Sequence, residues 1–500
     1  MRISLPPPCE FMKRLFKIEN LKYLVAFLAP LVLVCVMTRQ LDADSWYVLA
    51  EGKQITESGI YYTDQLSMHE DLNITVQNYG FAVFFYWIFS FFGASGIYIT
   101  MIILNVIICF LLYKICMVIS KKNVNLSLII MLATDSVLAL SFVVTRAQMV
   151  SYVFFLGLIY ILEMYIKTGR KKLLLWLPII SLLQVNLHAS LWPMLIVVMA
   201  VYIIDGIKIP KLHLQGYRIR PLIIVGIIMM LVGLINPYGV KMLLLMFSSY
   251  GNERFMNYIV ELHPFDLRDL VNIITYVAIA ISLILQIYGS KRGIRVRYLL
   301  MFFGFLALGL NSTKGLSQFI LVMFLPLASM YKNTIVGAVR NKKIRNMFLA
   351  WASVVSISCF VAMLVLVMSN MRNVPYDGLV LAVDAMDESL DEGIDKKDLK
   401  VYSGYDSGIG GYLEFRDYPV YMDSRGEVYL KANNGKEDIL YEWFDFLDGK
   451  IKSEELINKY NFDYIVAQGE YDPFYSLSLD GYKILFDDAD TQTKVFKRAS

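Results

Sequence analysis

QNYGFAVFFYWIFSFFGASGIYITMIILNVIICFLLYKICMVISKK, residues 77–122, decides how the chain is threaded. Tyr79–Phe92 is crowded with aromatic rings, Ser95–Val118 is aliphatic, and Lys121 and Lys122 follow. If the aromatic run crosses a bilayer, the two lysines fall outside. If it lies in the interface as an aromatic-rich helix, the span is Ser95–Val118 and the lysines fall inside. The second reading makes the rest of the chain consistent.

Upstream, Leu24–Met37 is an apolar run preceded by Arg2, Lys13, Arg14, Lys17 and Lys22. It is long and late for a signal peptide and lacks a small-residue cleavage site, so it reads as an uncleaved first span. Downstream, apolar runs recur near 124–144, 149–166, 173–187, 189–204, 220–236, 269–289, 298–311, 317–332 and 347–369. The expectation is a polytopic α-helical protein with about eleven spans and a large first outer loop. Each inner loop is then basic: Lys121/Lys122, Lys167/Arg170/Lys171/Lys172, Lys208/Lys211/Arg218/Arg220, Lys291/Arg292/Arg295/Arg297 and Lys332/Arg340/Lys342/Lys343/Arg345. The positive-inside rule puts the N-terminus in the cytoplasm of a plasma-membrane protein.

Composition agrees with this class. The 500 residues are 57% hydrophobic and 18% charged, against about 45–50% and about 25% in soluble domains. Five scattered cysteines exclude a disulfide scaffold. The basic residues sit in short clusters between apolar runs, which argues against a nucleic-acid partner and leaves membrane lipids as the expected surroundings. Residues 1–370 carry a net charge of +16 and residues 371–500 a net charge of −12. This split predicts a membrane domain, 1–370, and a soluble extracytoplasmic domain, 371–500. In the latter, β-like runs at 400–403, 419–422, 464–467, 482–486 and 493–497 alternate with helical patterns near 437–447 and 453–460, which predicts a small α/β fold.

This topology gathers polar residues at the outer ends of the spans: Asp42, Asp44, Asp64, Arg146, Gln148, Asn186, His188, Asn236, Glu261, His263 and Lys314. Polar groups near membrane depth are costly, so such a ring points to one wet, outward-facing site. Asp42 and Asp44 can turn two carboxylates into one cavity, as a general base or a metal ligand; the alternative is a helix N-cap. Asp64 is either part of that site or an Asx turn. Arg146 offers a forked donor suited to phosphate, and its outer position runs against the positive-inside bias; the alternative is snorkelling at a span end. His188, next to Asn186, reads either as a phosphate or hydroxyl ligand or as an interhelical hydrogen bond. Asn236–Gly239 reads as a turn. Glu261 and His263 form an acid/base pair or ligands, but are too few for a metal site. Lys314 is a candidate anion binder. No cofactor is expected, with a divalent metal left open. Gly408, Gly410 and Gly411 read as a tight turn opening a helix rather than a phosphate cradle, and Asp423 with Arg425 as an internal pair.

The order of these short motifs carries a resemblance. Asp42, Asp44, Trp46, Leu49, Gly52, Gly59, Ile60, Thr63, Asp64 and Ser67 are followed by Arg146-x-Gln148, Asn186-x-His188, Asn236–Pro237–Tyr238–Gly239, Glu261, Gly410–Leu413 and Asp423–Arg425. Together they resemble a group of bacterial multispanning proteins related to the GT-C glycosyltransferases, a superfamily that includes protein O-mannosyltransferases and lipid A aminoarabinose transferases. The resemblance implies a polyprenyl-phosphate-linked sugar as donor and transfer on the outer face to an envelope glycan, lipid or protein. It implies Asp44 as general base with Asp42 second, and Arg146, His188 and Lys314 as holders of the lipid phosphate. The group often has a His where this chain has Val48, His–Glu–Trp where it has Gln77–Asn78–Tyr79, and an Arg where it has Lys314. The competing expectation is a non-catalytic scaffold or transporter for lipid-linked glycans. No internal repeat of the transporter kind is present.

Overall fold

A computed structural model describes residues 41–140, 142–207, 216–250, 270–333, 377–404, 408–469 and 472–499. The expected first and last spans, 24–37 and 347–369, lie outside these residues.

Helix α1, Ala43–Ser58, starts where Asp42 caps it: the Asp42 carboxylate accepts from the Asp44 N–H at 3.1 Å. It stops at Gly59, whose φ is +83°. Helix α2 runs Tyr79–Ile119 but is broken at Gly93, whose φ of +61° and ψ of −160° are open to glycine alone. The break falls where the sequence changes from aromatic to aliphatic. Phe91 and Phe92, just before it, are largely exposed.

The bundle continues with α3 (Val124–Ala139), α4 (Gln148–Thr168), α5 (Trp176–Leu187), α6 (Trp192–Gly206), α7 (Arg220–Val232), α8 (Val240–Tyr250), α9 (Leu270–Gly289), α10 (Val296–Asn311), α11 (Thr313–Val322) and α12 (Leu325–Met330). Among the described residues, three helical segments are long and apolar enough to cross a membrane: 79–119, 148–168 and 189–206. Five others are apolar but shorter. The span expected at 317–332 is interrupted near Phe324 into α11 and α12. That expected at 124–144 ends as a helix at Ala139.

One ion cluster reads differently in three dimensions. Arg297, placed by its neighbours in a basic loop, is buried on α10. Its guanidinium donates to Glu163 of α4 at 2.7 and 2.9 Å and to Asp205 of α6 at 2.9 Å. Tyr202 and Tyr298 add hydroxyl donors to Glu163 at 2.8 and 3.0 Å. A buried charge needs such complete partnering, and here it ties three helices at one end of the bundle.

Residues 377–499 begin with α13 (Asp377–Glu388) and form a four-stranded sheet in the order β1 (Val401–Tyr402), β2 (Tyr464–Gln468), β4 (Thr493–Arg498), β3 (Tyr482–Asp488). β1 and β2 are parallel and the other pairs antiparallel. Helices α14 (Ile409–Phe415), α15 (Ile439–Leu447) and α16 (Ser453–Tyr460) surround it. The strand expected at 419–422 is reduced to bridges: Val420 pairs with Val401 on one side and Ser67, in the loop between α1 and α2, on the other. That loop therefore extends the sheet edge. Tyr61, Leu72, Ile74 and Val76 from the loop share a core with Tyr402, Tyr421, Trp443 and Phe444.

Two close approaches lock α1 between its neighbours. A Cβ on Gly411 would lie 2.5 Å from the Tyr47 backbone nitrogen, and one on Gly52 would lie 2.1 Å from the Ala82 carbonyl oxygen. Gly52→Ala should therefore lower the melting temperature of the purified protein by an overpacking cost of about 1–3 kcal/mol. A melt unchanged from wild type would show that α1 and α2 are not held this tightly.

Candidate functional site

Thr145 and Arg146, between α3 and α4, meet the start of α1. The Asp42 backbone N–H donates to the Thr145 hydroxyl at 2.8 Å, and the Ser45 hydroxyl donates to the Thr145 carbonyl at 2.9 Å. This seam, closed over a hundred residues of sequence, sets Arg146 between two carboxylates. Its Nε is 2.5 Å from Asp42 Oδ1 and its Nη1 is 3.0 Å from Asp44 Oδ2. All three side chains keep 20–25% of their exposure, so water reaches them. Asp42 thus serves as both the helix cap and a partner of Arg146.

Behind Asp44, further polar groups of α1 face the same direction. Burial pushes the Tyr47 phenol well above its ordinary value, and the carboxylates of Asp44, Glu427 and Glu51 add to this while Arg146 opposes it. Glu427 in turn accepts from Gln77 at 3.1 Å. The polar run is thus continued by residues of the loop between α1 and α2 and of the C-terminal block.

Asp64 belongs to a second, deeper cluster. Its Oδ2 accepts from the Ser67 N–H at 2.9 Å, an Asx-type turn, and its Oδ1 accepts from Arg425 Nη1 at 2.9 Å. Arg425 also donates to Asp423 Oδ2 from Nε at 2.7 Å and to Glu414 Oε1 at 2.8 Å. Glu51 stands 3.7 Å from Nη1, too far for a hydrogen bond, and its Oε2 has no hydrogen-bond partner. Burial pushes Glu51 from 4.5 up to about 8, against the pull of Arg425. Burial raises Glu414 too, whereas Arg425 holds Asp423 below the usual carboxylate range despite its burial.

A carboxyl whose folded value is raised contributes stability below its unfolded value and loses it as pH climbs through the folded one. Glu51 therefore makes the fold less stable between pH 4.5 and about 8. Glu51→Gln should flatten that decline in a series of melting temperatures against pH. Parallel wild-type and mutant curves would count against a neutral, buried Glu51.

The other described candidates have partners of their own. Both ring nitrogens of His188 are engaged, Nδ1 with the Ser151 hydroxyl at 2.7 Å and Nε2 with the Ser190 hydroxyl at 2.8 Å. Asn186 donates to the Leu182 and Ile235 carbonyls at 2.7 and 3.0 Å and accepts from the Tyr79 hydroxyl, a structural junction. Gln148 donates to the Phe142 carbonyl at 3.4 Å. Lys314 lies in the first turn of α11, behind the cap Ser312. Glu261 and His263 lie outside the described residues. Among the described residues, no group of three or more His, Cys, Asp or Glu side chains is arranged to hold a metal ion.

Sequence reading missed Tyr47, Glu51, Glu414 and Glu427. Glu51 alone left a trace: it lies seven residues after Asp44, on the same face of a helix.

No family model matches the sequence, and no curated protein matches it. Among solved structures, the chain is similar to the oligosaccharyltransferase of Archaeoglobus fulgidus, crystallised tethered through a disulfide bond to an acceptor peptide containing the NVT sequon. The TM-score is 0.56 at 10% identity, over 91% of this chain and 70% of that one. At that identity the likeness is one of fold alone.

Proposed function

We propose that this chain is a membrane glycosyltransferase that moves a sugar from a polyprenyl-phosphate donor to a cell-envelope acceptor on the outer face of the plasma membrane. The observation that carries the reading is the meeting of Asp42, Asp44 and Arg146 at a wet helix mouth. An acid beside a forked cation is what this transfer needs. The acceptor hydroxyl attacks the anomeric carbon, the bond from that carbon to the phosphate oxygen breaks, and the hydroxyl proton passes to Asp44. The lipid phosphate leaves with added negative charge, which Arg146 stabilises. Binding the donor moves Arg146 off one aspartate and frees it as a base.

The membrane domain, 1–370, holds this chemistry, and the domain at 371–500 lies outside the membrane and covers the acceptor side. The arrangement of charge supports this orientation. The Asp42–Arg146 seam joins the end of the bundle that carries the first outer loop, whereas Lys121, Lys122, Lys167, Arg295 and Lys332 line one cavity elsewhere.

One observation favours a non-catalytic scaffold instead: Arg146 is already matched by two carboxylates, and His188 by two serines. A transfer assay with membrane fractions and radiolabelled polyprenyl-phosphate sugars separates the two readings. Label arriving in an envelope acceptor supports the enzyme; binding of the donor without transfer supports the scaffold.

A further inference from the structure

Lys121, Lys122, Lys167, Arg295 and Lys332 line a cavity of about 410 Å³ between the ends of α2, α4 and α12 and the start of α10. Its wall is the buried Arg297–Glu163 pair with Tyr298. Glu163 is consumed by Arg297 and two tyrosine hydroxyls. Among the described residues no carboxylate pairs with Lys121, Lys122, Lys167 or Lys332. The hollow thus presents four lysines beside a single acid, Glu163, that is already held by Arg297.

Inner loops are basic in general, but a scatter of loop charges requires neither a cavity nor a fixed backbone. This site has both. Lys121 and Lys122 have φ of +54° and +71°, in the left-handed region where a Cβ is costly and glycine is the usual occupant. The turn is closed by the Lys122 N–H donating to the Met117 carbonyl at 2.9 Å. Asn123 then caps α3 and donates to the Lys332 carbonyl at 3.3 Å, fixing one lysine-bearing segment against another. Lysine held in a glycine conformation is a strained choice, and strain of this kind concentrates at ligand clamps.

We propose that this cavity binds a phosphate-bearing anion of headgroup size, with the lysines around its mouth and the Arg297–Glu163 pair as its rigid base. A lipid headgroup and a free phosphate share this chemistry. Location at the ends of membrane helices favours the lipid, since basic pockets between such helices take anionic headgroups.

The test uses the full-length protein in phosphatidylcholine nanodiscs, with and without phosphatidylglycerol, and with inorganic pyrophosphate added to the buffer in a separate arm. The reading is the rise in melting temperature, together with lipid retained on the purified protein by native mass spectrometry. Wild type should be stabilised and should retain phosphatidylglycerol. The double variant Lys121→Gly/Lys122→Gly relieves the left-handed strain, so its melt without ligand should equal or exceed that of wild type. Its affinity for the anion should fall about thirty-fold. Lys167→Gln provides a second variant that leaves the turn intact, and should also weaken binding. Lys171→Gln/Lys172→Gln, exposed basic residues outside the cavity, should change nothing. Stabilisation by phosphatidylglycerol alone assigns a lipid site; stabilisation by pyrophosphate as well assigns a soluble phosphate. No response to either, or a response that survives the cavity variants, overturns the site. An equal loss in the Lys171/Lys172 control reduces it to bulk loop charge and overturns it too.

Discussion

Asp44→Asn is expected to lower sugar transfer about 10²–10⁴-fold, the usual contribution of a positioned general base. Thermal stability should stay within about 1 kcal/mol of wild type, because the lost ion pair is partly exposed. Asparagine keeps the shape and the hydrogen-bonding reach but cannot take up the acceptor proton. Arg146 keeps Asp42 as a partner in the variant, so the seam to Thr145 need not open. Asp42→Asn makes the informative comparison. Asparagine caps a helix as well as aspartate does, so that variant should also fold, and its activity reports whether the second carboxylate shares the base role. Arg146→Lys should retain a charge but lose the fork that spans two oxygens, raising the donor requirement and slowing leaving-group departure together. If transfer in Asp44→Asn matches wild type, Asp44 is a cap-side ion-pair residue and the base lies elsewhere.

The helices of the bundle were legible because hydropathy is a local signal. The Gly93 break could be read from a change of side-chain type, and the sheet from alternating runs near 464–467 and 493–497. The pairing of Asp423 with Arg425 was also readable, being two residues apart. What was not legible depends on distant packing. Glu51 and Glu414 look like ordinary solvated acids until the C-terminal block covers α1. Arg297 sits in sequence among Lys291, Arg292 and Arg295 and shares their composition signal, yet its partners Glu163 and Asp205 lie on α4 and α6. His188 shows the reverse. Its position between apolar runs left a ligand and an interhelical hydrogen bond equally open, and the serines that engage both nitrogens are one short-range and one long-range neighbour that no spacing rule connects.

Removing Arg425 should have the largest effect on the fold. Arg425→Met leaves Asp64, Asp423, Glu414 and Glu51 buried around a thioether chain, and breaking a buried pair in this way costs about 3–5 kcal/mol. The loss should be directional. Arg425 Nη1 reaches Asp64 of the loop after α1 while Nη2 reaches Glu414 of α14, so the residue joins that loop to the C-terminal block. The variant should therefore expose the block to limited proteolysis and speed hydrogen exchange at 60–76 and 409–430 before the helical bundle changes. Its pH dependence provides an independent check. Arg425 holds Asp423 below its ordinary value; a depressed carboxyl contributes stability above its unfolded value and loses it as pH falls. In the variant the acids can be neutralised by protonation, so the gap between variant and wild type should be widest in alkali and should narrow as the solution is acidified. Arg425→Lys keeps one positive charge without the fork and should recover part of the stability at high pH. A gap that stays constant from acid to alkali would mean that packing around the guanidinium, and not its charge, holds the loop to the sheet.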